Sequence, residues 1–126
     1  MANYNNYLET EVLNADPLQL VAILYRAAIA SAGAARIHLQ AGAIRERSLS
    51  IVKAEKIIHE LMFSLDHEKG GKISRSLASL YSYMQERLIE ANSKQAAPPL
   101  MEVEQLLSTL LEAWIAIRPV PSHAAA

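Results

Sequence analysis

Apolar residues recur three and four positions apart along most of this chain, with charged residues filling the positions between. From Ala43 to Leu65 the apolar set is Ile51, Ala54, Ile58, Leu61, Met62 and Leu65. From Lys72 to Ser93 it is Ile73, Leu77, Leu80, Tyr81, Met84 and Leu88. From Pro99 to Ile117 it is Val103, Leu106, Leu107, Leu110, Trp114 and Ile117. Each set covers one face of a helix and leaves the opposite face polar, the pattern of a helix that packs on a single core. No segment sustains the alternation of a strand.

The stretch from Pro17 to Gln40 differs. Leu18, Leu20, Val21, Ala22, Ile23, Leu24 and Tyr25 are apolar nearly all round, and Ala27, Ala28, Ile29 and Ala30 continue the pattern. A helix of this kind must be covered on more than one side. It either sits between two other helices or lines a groove that a partner fills. Asp16-Pro17 is its start signal, because an aspartate caps free N–H groups and a proline at the first helical position loses no available bond. Gly42 is its predicted stop.

Punctuation separates the helices. Asp66 to Gly71 (DHEKGG) reads as a polar loop, Pro98-Pro99 as a break, and Pro119 and Pro121 as the end of the last helix. Residues 1–15, polar and asparagine-rich, read as an arm or one short helix, and residues 119–126 as a disordered tail. Short connections make neighbouring helices antiparallel. The predicted fold is therefore all-α: an antiparallel four-helix bundle over residues 16–118 with a short N-terminal helix or arm.

Composition adds limits. A chain of 126 residues suits one domain with one core. The net charge is −1 with both signs mixed, so no basic block is present to grip nucleic acid or an anionic lipid surface. Cysteine is absent, which excludes disulfides and thiolate metal ligands. Met1 to Asn6 lacks the charged start of a signal peptide, and Arg26 and Arg36 interrupt the best apolar run, so no membrane insertion is expected. The cytoplasm is the default location.

Candidate chemistry is sparse. His38, His59, His67 and His123 form no HExxH pair, and the Glu-x-x-His pattern of di-iron bundles is missing, so neither metal nor cofactor is expected. The glutamates are dispersed among solvated positions, without a pair placed for acid–base work. Gly70-Gly71 precedes a helix, but no strand and no phosphate-loop spacing accompany it; a tight turn is the better reading. His59 invites comparison with helical phosphotransfer domains, yet Met62-Phe63 stands where those domains have Lys-Gly. Binding, not catalysis, is the function class that remains.

An ordered set of short segments then resembles one family, the FliS flagellar secretion chaperones. The set opens with Tyr7, Val12 and Ala15-Asp16-Pro17, and continues with Leu20 and Leu24-Tyr25. Lys53-Ala54, Ile57-Ile58-His59-Glu60-Leu61 and Ser64-Leu65-Asp66 follow. Next come Gly70-Gly71-Lys72-Ile73, Leu80-Tyr81-Ser82-Tyr83-Met84, Arg87-Leu88, Ala91-Asn92, Glu102-Val103-Glu104 and Ala113-Trp114. Ser82 stands where the family usually has Asp, and Pro98-Pro99 replaces a more charged loop.

The resemblance implies a chaperone that holds the unfolded C-terminal segment of flagellin before export and blocks its premature polymerisation. Helix-in-groove recognition is the physical mode that suits such an amphipathic client. On that reading Tyr7, Leu20, Ile23, Leu24, Ile57, Phe63, Tyr83 and Ile89, apolar groups off the main stripes, are the candidate client-binding residues. Contact with the flagellar export gate is implied by the family alone. Self-association as a homodimer stays open, as does the alternative of a structural or self-associating helical bundle without a client.

Overall fold

The structure, a computed structural model, describes residues 17–117. The predicted N-terminal arm, the Asp16 cap and the C-terminal tail lie outside the described residues. Four helices account for nearly all of the rest: α1 (Pro17–Gln40), α2 (Ile44–Phe63), α3 (His67–Lys94) and α4 (Ala97–Ile117). α1 packs on α2 and α4, and α3 packs on the same two helices, so the four form a closed square with α1 and α3 on one diagonal. Cross-helix bonds fix the directions. Ser48 and Gln85 of α2 and α3 bond to Asn92 and Glu55, and Arg36 and Tyr25 of α1 bond to Glu104 and Trp114 of α4. In both pairs the residue number rises on one helix as it falls on the other. The bundle is antiparallel and all-α, as its periodicity predicts.

The helix ends follow from local chemistry. After α1 the backbone N–H of Ala43 donates to the His38 carbonyl and that of Gly42 to Leu39. This double closure needs a left-handed residue, and Gly42 supplies it at φ 72°. α3 ends the same way with Ala96 bonding back to Ala91, but here the left-handed position is Gln95, at φ 50°.

Two boundaries depart from expectation. Asp66 to Gly71 is not a loop throughout. Asp66 accepts from the N–H groups of Glu68 and Lys69 at 3.1 and 3.0 Å and so starts a helical turn at His67. Gly71 then breaks the helix with φ 50° and ψ −119°, a conformation open only to glycine, before α3 continues. The polar composition reflected a capped, solvated turn. Likewise Pro98 and Pro99 sit within the first turn of α4, where a missing N–H costs nothing, and the chain reverses at Gln95-Ala96 instead.

The core runs along the bundle axis. Ile51, Ala54 and Ile58 of α2, Met84 and Leu88 of α3, and Leu100, Val103 and Leu107 of α4 have no exposed surface. α1 contributes Tyr25, Ala28, Ala32 and Ala35, also fully buried. The alanines keep α1 thin where it meets its neighbours. By length and apolar composition α1 could cross a bilayer despite Arg26 and Arg36, contrary to the reading that those arginines disqualify it. Its fully buried residues face α2 and α4, which identifies it as a core helix of the bundle. Two stripe positions are not core. Ile73 is 73% exposed and Ile117 67%, because both lie at the bundle end where the neighbouring helices stop.

Candidate protein-binding surface

The predicted client residues separate into groups. Tyr7 lies outside the described residues. Leu20, Ile23 and Leu24 are spaced three and four apart along α1. Leu24 is nearly buried and lines a shallow groove of about 630 Å³ together with Ile57 of α2. Leu20 and Ile23 are half-buried. Leu24 and Ile57 therefore meet at one groove and also close the core, whereas Leu20 and Ile23 are not among the residues that line it.

The other three stand apart. Phe63 at the end of α2 is 81% exposed and touches only the ring of His59 in its aromatic contacts, centroids 6.1 Å apart. Ile89 projects from α3 at 58% exposure. Tyr83 is the least suited to an apolar groove. Its hydroxyl donates to both carboxylate oxygens of Glu102 at 2.8 Å, and Arg87 Nε donates to the same carboxylate at 2.6 Å. The bonds from Tyr83 and Arg87 hold the Glu102 carboxyl below its usual range, and the bond to Glu102 in turn pushes the Tyr83 hydroxyl up. Tyr83 thus belongs to a polar clasp between α3 and α4.

Sequence reasoning missed a second apolar feature. A cavity of about 190 Å³ opens at the bundle end formed by the start of α1, the α2–α3 connection and the end of α4. Val21, Leu65, Ile73, Leu77, Tyr81 and Trp114 line most of it. Its floor is polar. Trp114 Nε1–H donates to the Tyr25 hydroxyl at 2.9 Å, and the Tyr25 and Tyr81 hydroxyls share a bond of 2.5 Å across the core diagonal. Burial pushes both tyrosine hydroxyls up, Tyr81 further because Tyr25 adds to the effect. The signal was present in the sequence, since Ile73 extends the α3 stripe beyond the last covered turn, but the stripe alone does not report coverage.

No group of three or more metal-ligating side chains gathers among the described residues. His59 is exposed on α2, and His67 bonds Ser74 at 2.9 Å across the Gly71 break.

The surface is thus apolar at one groove and one end, on a chain whose match to known proteins spans almost its full length. Residues 1–121 match the family described as flagellar protein FliS. The chain belongs to that family. A FliS named flagellar secretion chaperone from Salmonella typhimurium is 40% identical over 116 residues, covering 91% of this chain and 86% of the relative. The FliSB chaperone of Pseudomonas aeruginosa is 35% identical over 107 residues, with 85% of each chain covered. The FliS of Bacillus subtilis is 30% identical over 111 residues, covering 88% of this chain and 82% of the relative. These FliS relatives are named as chaperones of flagellar secretion and not as enzymes.

Proposed function

We propose that this chain binds the C-terminal segment of flagellin in the cytoplasm, prevents its premature polymerisation and supports its export through the flagellar secretion gate. The observation that carries this reading is the set of large apolar side chains left facing solvent: Phe63, Ile73 and Ile89 among them. Exposed apolar groups clustered at grooves mark binding surfaces in soluble bundles. An unfolded amphipathic segment gives up ordering entropy on binding, so a client that wraps several such patches suits the surface better than one local contact.

The cavity at the bundle end has a natural cover in this reading. Pro17 starts α1 one turn from Val21, which lines the cavity. Residues 1–15, with Tyr7, precede α1 in the chain, and we propose that they act as a detachable cover that yields when the client arrives. Deleting residues 1–15 should change client affinity; if affinity and thermal stability both stay as they are, the lid assignment fails.

The test of the function is a calorimetric titration of the full chain with the C-terminal segment of flagellin from the same organism. Binding at micromolar concentration or tighter is expected. No heat of binding at tens of micromolar, with a concentration-dependent dimer in sedimentation instead, would replace the chaperone by a self-associating bundle.

A further inference from the structure

The groove on α2 contains acceptors that the protein itself does not use. Gln85 of α3 donates its Nε2–H to the backbone carbonyl of Glu55 at 3.0 Å. That bond fixes which way the amide faces, because a carbonyl can only accept. Gln85 Oε1 is consequently held in place, buried and without a partner among the described residues. In the same groove the Glu55 carboxylate forms no ion pair among the described residues, and burial pushes its carboxyl up. Both residues line the groove. Lys56 and His59 line it too, but neither reaches Oε1.

An unmade bond at a buried oxygen is costly, and proteins keep few of them. A buried oxygen without a partner and a partly buried carboxylate lining one groove call for a donor with positive charge. The register of the helices supplies apolar flanks. Glu55 bonds to Gln85 and Ser48 to Asn92, which sets Val52 level with Ile89 across the same outer face. Val52 and Ile89 are both exposed.

We propose that the outer face between α2 and α3 seats an amphipathic helix that places one lysine or arginine on Gln85 Oε1 and the Glu55 carboxylate, with its apolar residues against Val52 and Ile89. This rests on the chaperone reading and deepens it: apolar patches hold many clients, whereas a fixed pair of acceptors selects one register of one client. The cation would satisfy the orphan oxygen and neutralise a carboxylate already short of water.

The decisive variants are Gln85→Leu and Glu55→Gln in the full chain, titrated with the flagellin C-terminal segment. Each should weaken binding about 10-fold or more, the value of a hydrogen bond to a charged group. Thermal stability should hold or rise for Gln85→Leu, because the orphan acceptor goes and the Glu55 carbonyl keeps its helical bond; a merely structural Gln85 would lose stability instead. Changing the client's lysines and arginines to methionine one at a time should find a single position whose effect vanishes in both variants. Unaltered affinity in both variants, while Leu24→Ser still weakens binding, overturns this site alone. No binding by the unaltered chain overturns the chaperone reading and this one together. A dimer of the free chain that Gln85→Leu dissolves would put a second copy on the face and overturn it as well.

Discussion

The two ends of the bundle are finished in different ways. At the end where α1 passes into α2 and α3 into α4, the core is closed. Leu88, Ala91, Leu100 and Val103 have no exposed surface, and Pro99 is buried above them. Polar clasps tie the rim: Arg36 grips Glu104 with Nε and Nη2 at 2.7 and 3.2 Å, and Arg47 and Ser48 both donate to Asn92 Oδ1 at 3.2 and 3.1 Å. Arg47 is a buried cation, and its place beside the last turn of α3 suits the partial negative charge of a helix C-terminus. At the opposite end the same stripes run past their cover. Ile73 and Ile117 sit on core faces yet meet solvent, and a cavity stands over the tyrosine pair. An apolar stripe that outlasts its neighbours marks the place where a bundle expects another segment.

The sharpest way to break this comparison is to truncate the same α3 stripe at both ends. Leu88→Ala at the closed end should cost about 2–5 kcal/mol in denaturant unfolding, since it opens a cavity in a dry core. Ile73→Ala at the open end should stay within about 0.5 kcal/mol, because it removes a side chain that is already solvated. Equal losses at the two positions would mean that the open end is covered. Ile73→Ala, with Phe63→Ser, should instead weaken flagellin-segment binding about 10-fold.

The polar floor gives a middle-sized effect. Tyr25→Phe takes away the acceptor of Trp114 Nε1–H and the partner of Tyr81 at once, and should cost about 1–3 kcal/mol. Tyr81→Phe should cost less, because the Trp114–Tyr25 bond survives. Trp114, the chain's one tryptophan, reports the change by fluorescence. The same pair should contribute to the loss of stability at alkaline pH. Both hydroxyls have folded pKa values above the ordinary tyrosine value, so the neutral form is favoured by folding. Their contribution is complete below pH ~10 and falls as the unfolded tyrosines begin to ionise above it. Tyr25→Phe,Tyr81→Phe together should flatten that alkaline loss, and a variant that still loses stability with the same slope would trace it to other groups.

The smallest stabilising change lies at the closed end. Gln95 holds a left-handed backbone that a side chain disfavours, so Gln95→Gly should gain about 1 kcal/mol in unfolding free energy. The Arg36–Glu104 pair is half-exposed, and Glu104→Gln should move the unfolding midpoint by less than any of the core substitutions do.

Much of the fold was legible because helix formation is a local matter. Spacing found α1 and the stripes of α2, α3 and α4, and Gly42 closed α1 as expected, since left-handed closure depends on adjacent residues. The turn at His67 was missed because Asp66 can end a loop or start a helix, and only the backbone at Gly71 shows which. The site was less legible. Leu24 and Ile57 line one groove, Leu20 and Ile23 do not, and Tyr83, apolar in pattern, is bound into the Glu102 clasp by a residue nineteen positions away. Neither Val52 nor Gln85 was singled out, since a valine and a glutamine on helix surfaces are ordinary until a neighbouring helix sets them beside each other.

The sequence by itself determined which faces of the helices are apolar, where most helices begin and end, and which family the ordered segments resemble. Those properties rest on interactions within a few residues along the chain. Only the tertiary structure decided where the apolar faces stop being covered, which polar atoms are left without partners and which helices share an outer groove. Coverage is a property of pairs of elements distant in the chain, and no local pattern encodes how far one helix extends beyond its neighbour.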